Sequence, residues 1–181
     1  MAKRIFDIFF SIIALVLLSW ILLLSYIVAS IDTGANGFFS QKRIGRFGKP
    51  FTILKLQTIH PKTGKISAIG NFFRNSKIDE MPQFFNVLLG CMSIVGPRPD
   101  IEGYYDKLEG ENRKILELKP GITCPASLKY YNEEEILQQQ ENPLEYNDTV
   151  IFPDKVKMNL DYYYNHSFWG DLVILWKTFF R

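Results

Sequence analysis

Ser76–Gly90 reads SKIDEMPQFFNVLLG. Two carboxylates, Asp79 and Glu80, stand side by side; Pro82 follows, and an apolar run completes the stretch. Proline is accommodated in the first turn of a helix and breaks one further in, so the stretch predicts a helix starting near Asp79. An aspartate there accepts a hydrogen bond from a backbone N–H two or three residues on, and Glu80 suits the positive end of the helix dipole. On this stretch alone Asp79-Glu80 is open to two readings, a helix cap and a catalytic pair.

Working outward, the pattern is helical from about Ile69 to Gly90, with a break near Ser76. Before it, GFFSQKRIGRFGKPFTILKLQT (Gly37–Thr58) predicts a β-hairpin: Phe38-Phe39 and Phe51–Leu56 are strand-like, and Gly45, Gly48 and Pro50 punctuate the turn. After it, MSIVGPRPD (Met92–Asp100) is a short apolar run ended by a rigid Pro-Arg-Pro. Ile101–Leu118 reads as a charged helix, and KPGIT leads into an extended segment from Thr123 to Tyr131. Asn132 is placed to cap a helix from Glu133 to Gln140, and a further helix starts near Pro153. At the end, Phe168, Leu172, Leu175, Trp176, Phe179 and Phe180 recur at near-helical spacing beside Lys177 and Arg181. That pattern suits a helix lying in a membrane surface and equally a helix packed on a core.

The first residues differ from the rest. From Ile8 to Ile31 there is no charged side chain, and an apolar run of this length reads as a membrane helix. It is too long for the core of a signal peptide, so it is expected to stay in the mature protein. Lys3 and Arg4 precede it, and Lys42, Arg43, Arg46 and Lys49 follow, so charge gives no vote for a crossing. Two basic flanks fit a segment that enters and leaves on one side as well as a simple span.

The 181 residues fit one domain of ordinary size. A net charge of +2 leaves no electrostatic footprint for nucleic acid. Cys91 and Cys124 lie too far apart in sequence for a zinc-binding or redox motif.

Context tips Asp79-Glu80 toward chemistry. Arg74 and Lys77 lie just upstream, and Arg98 sits between two prolines that stiffen its backbone. Arginine grips phosphate oxygens with a two-pronged fork. A carboxylate in such company can hold Mg²⁺ or act as a nucleophile on phosphorus. Carboxylates, arginines and a membrane segment together suggest phosphoryl chemistry at a lipid surface.

The chain resembles the bacterial sugar transferases, the small monotopic phosphoglycosyl transferases. KRIFDI, the hairpin stretch, RNSKIDEMPQFFNVLLGCMSIVGPRP, KPGIT and LDYYYNHSFWGDLVILWKT carry the resemblance over nearly the whole chain, in order. The resemblance implies transfer of a sugar-1-phosphate from a UDP-sugar to polyprenyl (undecaprenyl) phosphate, with Mg²⁺. It implies an aspartyl-phosphosugar intermediate and release of UMP. Asp79 matches the nucleophile and Glu80 its partner, both toward the metal. Arg74, Arg98 and Lys55 match phosphate-contacting positions, and Asp161 matches a second active-site carboxylate. The departures are Ser19-Trp20 in place of a Ser-Pro pair, Gln57 in place of a basic residue, and Cys124 and Tyr131 late in the chain. The first bears on the bend of the membrane helix, which Ser19 and Ser25 are left to make less strongly; the others bear on nucleotide and sugar preference, with Lys129 the candidate to compensate.

The resulting expectation is an α+β protein, a mostly helical small domain with a short β-hairpin. Residues 1–33 form a membrane-embedded, re-entrant helix. Residues 34–181 form a catalytic domain with interfacial amphipathic helices, on the cytoplasmic face of the bacterial inner membrane. Membrane lipids are expected partners, nucleic acid is not, and a homodimer is a possible state. The rival functions are a phosphohydrolase using the same aspartate and a non-catalytic membrane anchor.

Overall fold

The computed structural model describes residues 2–180, so the expected part of Arg181 in the last helix lies outside the described residues. The protein is α+β, as expected, and groups into two units. One holds Met1–Arg43 and Pro50–Ile94; the other holds Ile44–Lys49 and Val95–Arg181.

The first unit opens with α1 (Ala2–Leu17) and α2 (Ser19–Thr33), bent from each other by 65°. The one apolar helix expected from sequence is therefore two. No proline makes the bend. Leu18 drifts from helical geometry, at φ −99° and ψ 6°, and the Ser19 hydroxyl donates back to Val16 O at 2.9 Å. Such a bond gives the chain a local alternative to the regular ladder. Among the described residues no single helix is long and apolar enough to cross a membrane, whereas the bent pair passes by length and composition together.

This pair is inside out. The buried residues of α1 are Asp7 and Ser11; those of α2 are Leu22, Ser25, Ala29 and Thr33. Ile5, Phe9, Val16 and Leu17 are 65–68% exposed on α1. Small and hydroxyl-bearing residues facing inward are what helix packing uses where the surroundings are apolar.

Strands β1 (Phe38–Ile44) and β2 (Pro50–Leu56) pair as the expected hairpin. Gly37 precedes it at a point where a Cβ would lie 2.3 Å from Tyr26 O, so only glycine passes. Helix α3 (Ala68–Asn75) is capped by Ser67, whose hydroxyl accepts from Gly70 N and donates to Asp32 Oδ2 at 2.7 Å. Asp32 thus links the end of α2 to the start of α3. The break expected near Ser76 falls at Lys77, which adopts a left-handed φ of 58°. A 3₁₀ turn, Ile78–Glu80, follows, and then α4 (Gln83–Leu89). Leu22, Ala29, Leu56 and Phe73 form the core, with Ile78 and Met81 packed against it.

Strand β3 (Ser93–Val95) ends on the first residue of the second unit's long segment. Just beyond it, Gly96 N donates to Thr123 O and Gly121 N to Pro97 O, both at 2.9 Å, pairing this chain with β4 (Gly121–Thr123). Two sequence expectations fail here. Ile101–Leu118 is not one helix but two 3₁₀ segments, Tyr105–Lys107 and Gly110–Glu117. Gly103 and Gly110 interrupt it with φ of 104° and 54°, values that a continuous helix cannot contain. Thr123–Tyr131 is not extended throughout. Pro125 opens α5 (Pro125–Lys129), and Cys124 Sγ accepts from Ser127 N at the cap.

Helices α6 (Glu133–Gln138) and α7 (Pro143–Tyr146) follow, and Asn132 precedes α6 without a side-chain cap bond. A π-helical turn, Asn147–Ile151, runs into α8 (Phe152–Asn165), and α9 (Phe168–Phe179) ends the fold. The second core joins Ile44, Tyr105, Ile115, Leu116 and Val156. Burial pushes the Tyr105 hydroxyl pKa far up, and Asn159 Nδ2 donates to that oxygen at 2.8 Å. On α9 the buried residue is Asp171, which accepts from Tyr162 Oη at 2.5 Å, while Trp169, Val173, Trp176 and Phe179 are exposed.

The close approach of Gly96 and Gly121 yields a prediction. A Cβ on Gly121 would lie 2.1 Å from Gly96 N. Gly121→Ala is therefore expected to destabilise the protein by about 1–3 kcal/mol, as for other overpacked sites. The fall in the thermal-unfolding midpoint of the purified protein measures it.

Candidate active site

The carboxylate pair sits in the first unit on the shortest of elements. Left-handed Lys77 reverses the chain after α3, and the 3₁₀ turn Ile78–Glu80 carries both side chains inward. Asp79 is 7% exposed and Glu80 8%. Neither caps the following helix: Pro82 occupies the cap position of α4, with no side-chain cap bond. The helix expected near Asp79 becomes α-helical only at Gln83, since proline at the cap starts the regular ladder beyond it. The cap reading thus loses its geometric basis.

Two adjacent carboxylates removed from water repel each other and lose hydration, so they need positive charge nearby. Lys55 of β2 supplies it, with Nζ 3.0 Å from Glu80 Oε1. The lysine side chain is itself largely withdrawn from solvent. Arg74 lies half-buried in the last turn of α3. The first unit therefore assembles Lys55, Asp79 and Glu80 and holds Arg74 in the helix leading to their turn.

Three other candidates belong to the second unit. Arg98 is half-buried between the buried Pro97 and Pro99. Lys129 ends α5 and pairs with Asp154 at 2.6 Å. That lysine and Tyr130 donate to Asp154, which lowers the carboxyl pKa from its ordinary value. Asp161 is exposed on α8 and accepts from Asn165 Nδ2, one turn on, at 2.8 Å.

Residues that position the site escaped the sequence reading. Asn86 of α4 is buried; its Nδ2 donates to Thr52 O at 2.8 Å, and its Oδ1 accepts from Leu54 N at 3.0 Å. It thereby ties α4 to β2, the strand that bears Lys55. Asp7 and Arg4 of α1 reach β3 and α4. A polar residue inside the apolar run FFNVLL, and a carboxylate at the head of a charge-free run, were the available signals. Gln83 is also buried, and its Nε2 has no hydrogen-bond partner among the described residues.

Two buried carboxylates, a lysine at ion-pair distance and an arginine one short turn upstream can bind a phosphate and present an oxygen nucleophile to it. Comparison with known proteins gives the family. The whole chain, residues 1–181, matches the family model described as bacterial sugar transferase. It is 32% identical over 97% of its length to a protein named uncharacterized sugar transferase EpsL of Bacillus subtilis (strain 168), of which it covers 84%. It is 33% identical over 99% of its length to a UDP-glucose:undecaprenyl-phosphate glucose-1-phosphate transferase of Klebsiella pneumoniae, covering 39% of that protein. With a galactosyl transferase CpsE of Streptococcus agalactiae serotype III, identity is 30% over 98% of the chain and 41% of the relative. The chain spans about two fifths of the length of these last two relatives. This protein belongs to the bacterial sugar transferase family.

Asn86→Asp keeps the side-chain shape but turns the donor facing Thr52 O into an acceptor. The exchange is expected to cost about 1–3 kcal/mol of stability, the penalty of a buried mismatched polar group. A chemical-denaturation midpoint compared with the parent protein checks it.

Proposed function

We propose that the protein is a phosphoglycosyl transferase. It moves a sugar-1-phosphate from a UDP-sugar to polyprenyl phosphate, as the first membrane step of surface polysaccharide or glycan assembly. The observation that carries this reading is the buried Asp79-Glu80 pair on a short turn with Lys55 3.0 Å from Glu80. The name of the Klebsiella pneumoniae relative supports the donor and acceptor classes.

Asp79 is the proposed nucleophile. One of its oxygens forms a bond to the sugar-bearing phosphorus, the bond from that phosphorus to the bridging oxygen breaks, and UMP leaves with the electron pair. A phosphate oxygen of the polyprenyl acceptor then attacks the same phosphorus. The aspartyl oxygen leaves with its electrons, and the carboxylate returns. Arg74 and Lys55 neutralise phosphate charge, with Arg98 the corresponding candidate in the second unit. Glu80, held by Lys55, keeps the turn oriented. Phosphoryl transfer asks mainly for this positioning and charge stabilisation.

The donor set suits Mg²⁺. Hard carboxylate oxygens are its ligands, and it ordinarily takes one or two from protein and the rest from waters and substrate phosphates. Among the described residues no cluster of three or more His, Cys, Asp or Glu side chains gathers. The fit is therefore to an ion shared with the diphosphate of the donor, with Asp79 and Glu80 as protein ligands. Such an ion would offset negative charge on the phosphates.

The inside-out α1–α2 pair supports a membrane location. Most of its large apolar residues face outward, Asp7, Ser11, Ser25 and Thr33 face inward, and its 65° bend suits entry and return on one face. The cytoplasmic face of the bacterial inner membrane, where nucleotide-sugars are available, is the proposed site.

Intact-protein mass spectrometry tests the reading. Detergent-solubilised protein is incubated with Mg²⁺ and a panel of UDP-sugars, without acceptor. One donor is expected to add one sugar-phosphate mass to the parent protein and none to Asp79→Asn. Glu80→Gln is expected to slow adduct formation by about 10–1,000-fold, as for loss of one charge-positioning group. No adduct with any donor, together with no UMP release once polyprenyl phosphate is added, overturns the proposal. Free sugar phosphate in place of a lipid-linked product favours hydrolysis.

A further inference from the structure

Arg4, Asp7 and Ser11 fall on one stripe of α1, three and four residues apart. Asp7 is 2% exposed. Its Oδ2 accepts the Ser93 hydroxyl at 2.8 Å and its Oδ1 the Ile94 backbone N–H at 3.1 Å. One turn earlier, Arg4 Nη1 donates to Val87 O at 2.6 Å and Nη2 to Leu88 O at 3.0 Å. Those carbonyls close the last turn of α4, where the helix dipole is negative and a cation is favourable.

A helix needed only as an anchor has no use for a buried carboxylate, which is costly among apolar residues. Here Arg4 is aimed wholly at backbone, and Asp7 divides its two bonds between a backbone N–H and a side-chain hydroxyl. Three of the four bonds from Arg4 and Asp7 end on main-chain atoms of α4 and of the strand after it, Val87, Leu88 and Ile94. Apolar contact tolerates sliding; charge-assisted bonds to backbone fix a position. Helix α4 has seven residues and begins three after Glu80, so its placement sets that of the dyad turn.

We infer that Arg4 and Asp7 are positioning residues: through α4 and β3, the N-terminal helix holds the Ile78–Glu80 turn in the orientation that phosphoryl transfer requires. The inference rests on the proposed function. Attack on phosphorus tolerates little misplacement, and a misplacement of about 1 Å costs on the order of a hundredfold in rate.

The test uses full-length protein in detergent with Mg²⁺ and the UDP-sugar that forms the adduct. Arg4→Ala and Asp7→Ala are expected to lower kcat for UMP release about 10–100-fold, with KM for the UDP-sugar within about twofold. Arg4→Lys and Asp7→Asn, which keep part of the bonding, should recover a fraction of the rate. Ile5→Ala, on the exposed face of the same helix, serves as control and should leave the rate unchanged. Hydrogen exchange runs on the same samples. Amides of Ile78–Glu80 and Ile94 should exchange faster in Asp7→Asn, while those of the β1–β2 hairpin do not change. If both alanine variants keep the parent kcat, or lose activity only in proportion to lost folded protein, the inference fails. If the parent protein itself forms no adduct with any donor, the proposed function fails instead. Exchange then decides whether α1 holds the turn: unchanged protection at Ile78–Glu80 in Asp7→Asn overturns that.

Discussion

Two neighbouring carboxylates, each less than a tenth exposed, form the constraint around which the first unit is arranged. Burial removes their hydration and adjacency adds repulsion, so the fold has to bring a cation to them and keep it there. Lys55 does so from β2. A lysine on a strand is useful only if the strand is registered against the turn it serves, and Asn86 provides that registration by bonding Thr52 O and Leu54 N. The backbone groups on either side of Ile53 are thus read by a side chain of α4, and Lys55 follows two residues later on the same strand. One asparagine ties the strand that bears the cation to the helix that follows the acids.

The N-terminal helices answer a different physical demand. A helix pair in water hides its large apolar side chains; this pair displays most of them and hides Asp7, Ser11, Ser25 and Thr33 beside Leu22 and Ala29. Thr33 and Ser30 turn their hydroxyls onto carbonyls one turn back, at 2.7 and 2.8 Å, so these two are satisfied within the helix itself. That arrangement suits apolar surroundings, where an unsatisfied group finds no water. The bend at Leu18–Ser19 shows that a proline is not required. A serine hydroxyl returning to the carbonyl three residues back is present where the helix breaks.

The legible parts of the chain were those with local causes. Phe38–Leu56 announces a hairpin through its strand-like ends and glycine-rich turn, and Pro82 marks a helix start through its missing N–H. The apolar length of residues 8–31 identifies an unusual segment, and the adjacency of Asp79 and Glu80 singles out a pair that the fold buries. The misread parts were governed by single residues of special geometry or by distant partners. Gly103 and Gly110 look tolerable inside a charged helical pattern, yet their positive φ values divide it into 3₁₀ pieces. Pro125 opens a helix of five residues, too short for any periodicity to show. Asp7 and Asn86 act on backbone groups 87 and 34 residues away, and no local pattern encodes such a partner.

The second unit explains why GPRP and PGIT belong together. Gly121 donates to Pro97 O while Gly96 donates to Thr123 O, so the two motifs pair directly. The pairing is too close for side chains on the facing positions: a Cβ on Gly96 would lie 2.4 Å from Lys119 O, and one on Gly121 2.1 Å from Gly96 N. Glycine at both positions is what permits the approach. Because Pro97 O is held by that bond, and prolines fix φ on both sides of Arg98, the arginine projects from a backbone with little freedom left to lose. For the phosphate contact proposed for Arg98, a guanidinium on such a backbone would give up less backbone entropy on binding. The cost of rigidity is met in the fold, before any substrate arrives, by residues that carry no chemistry of their own.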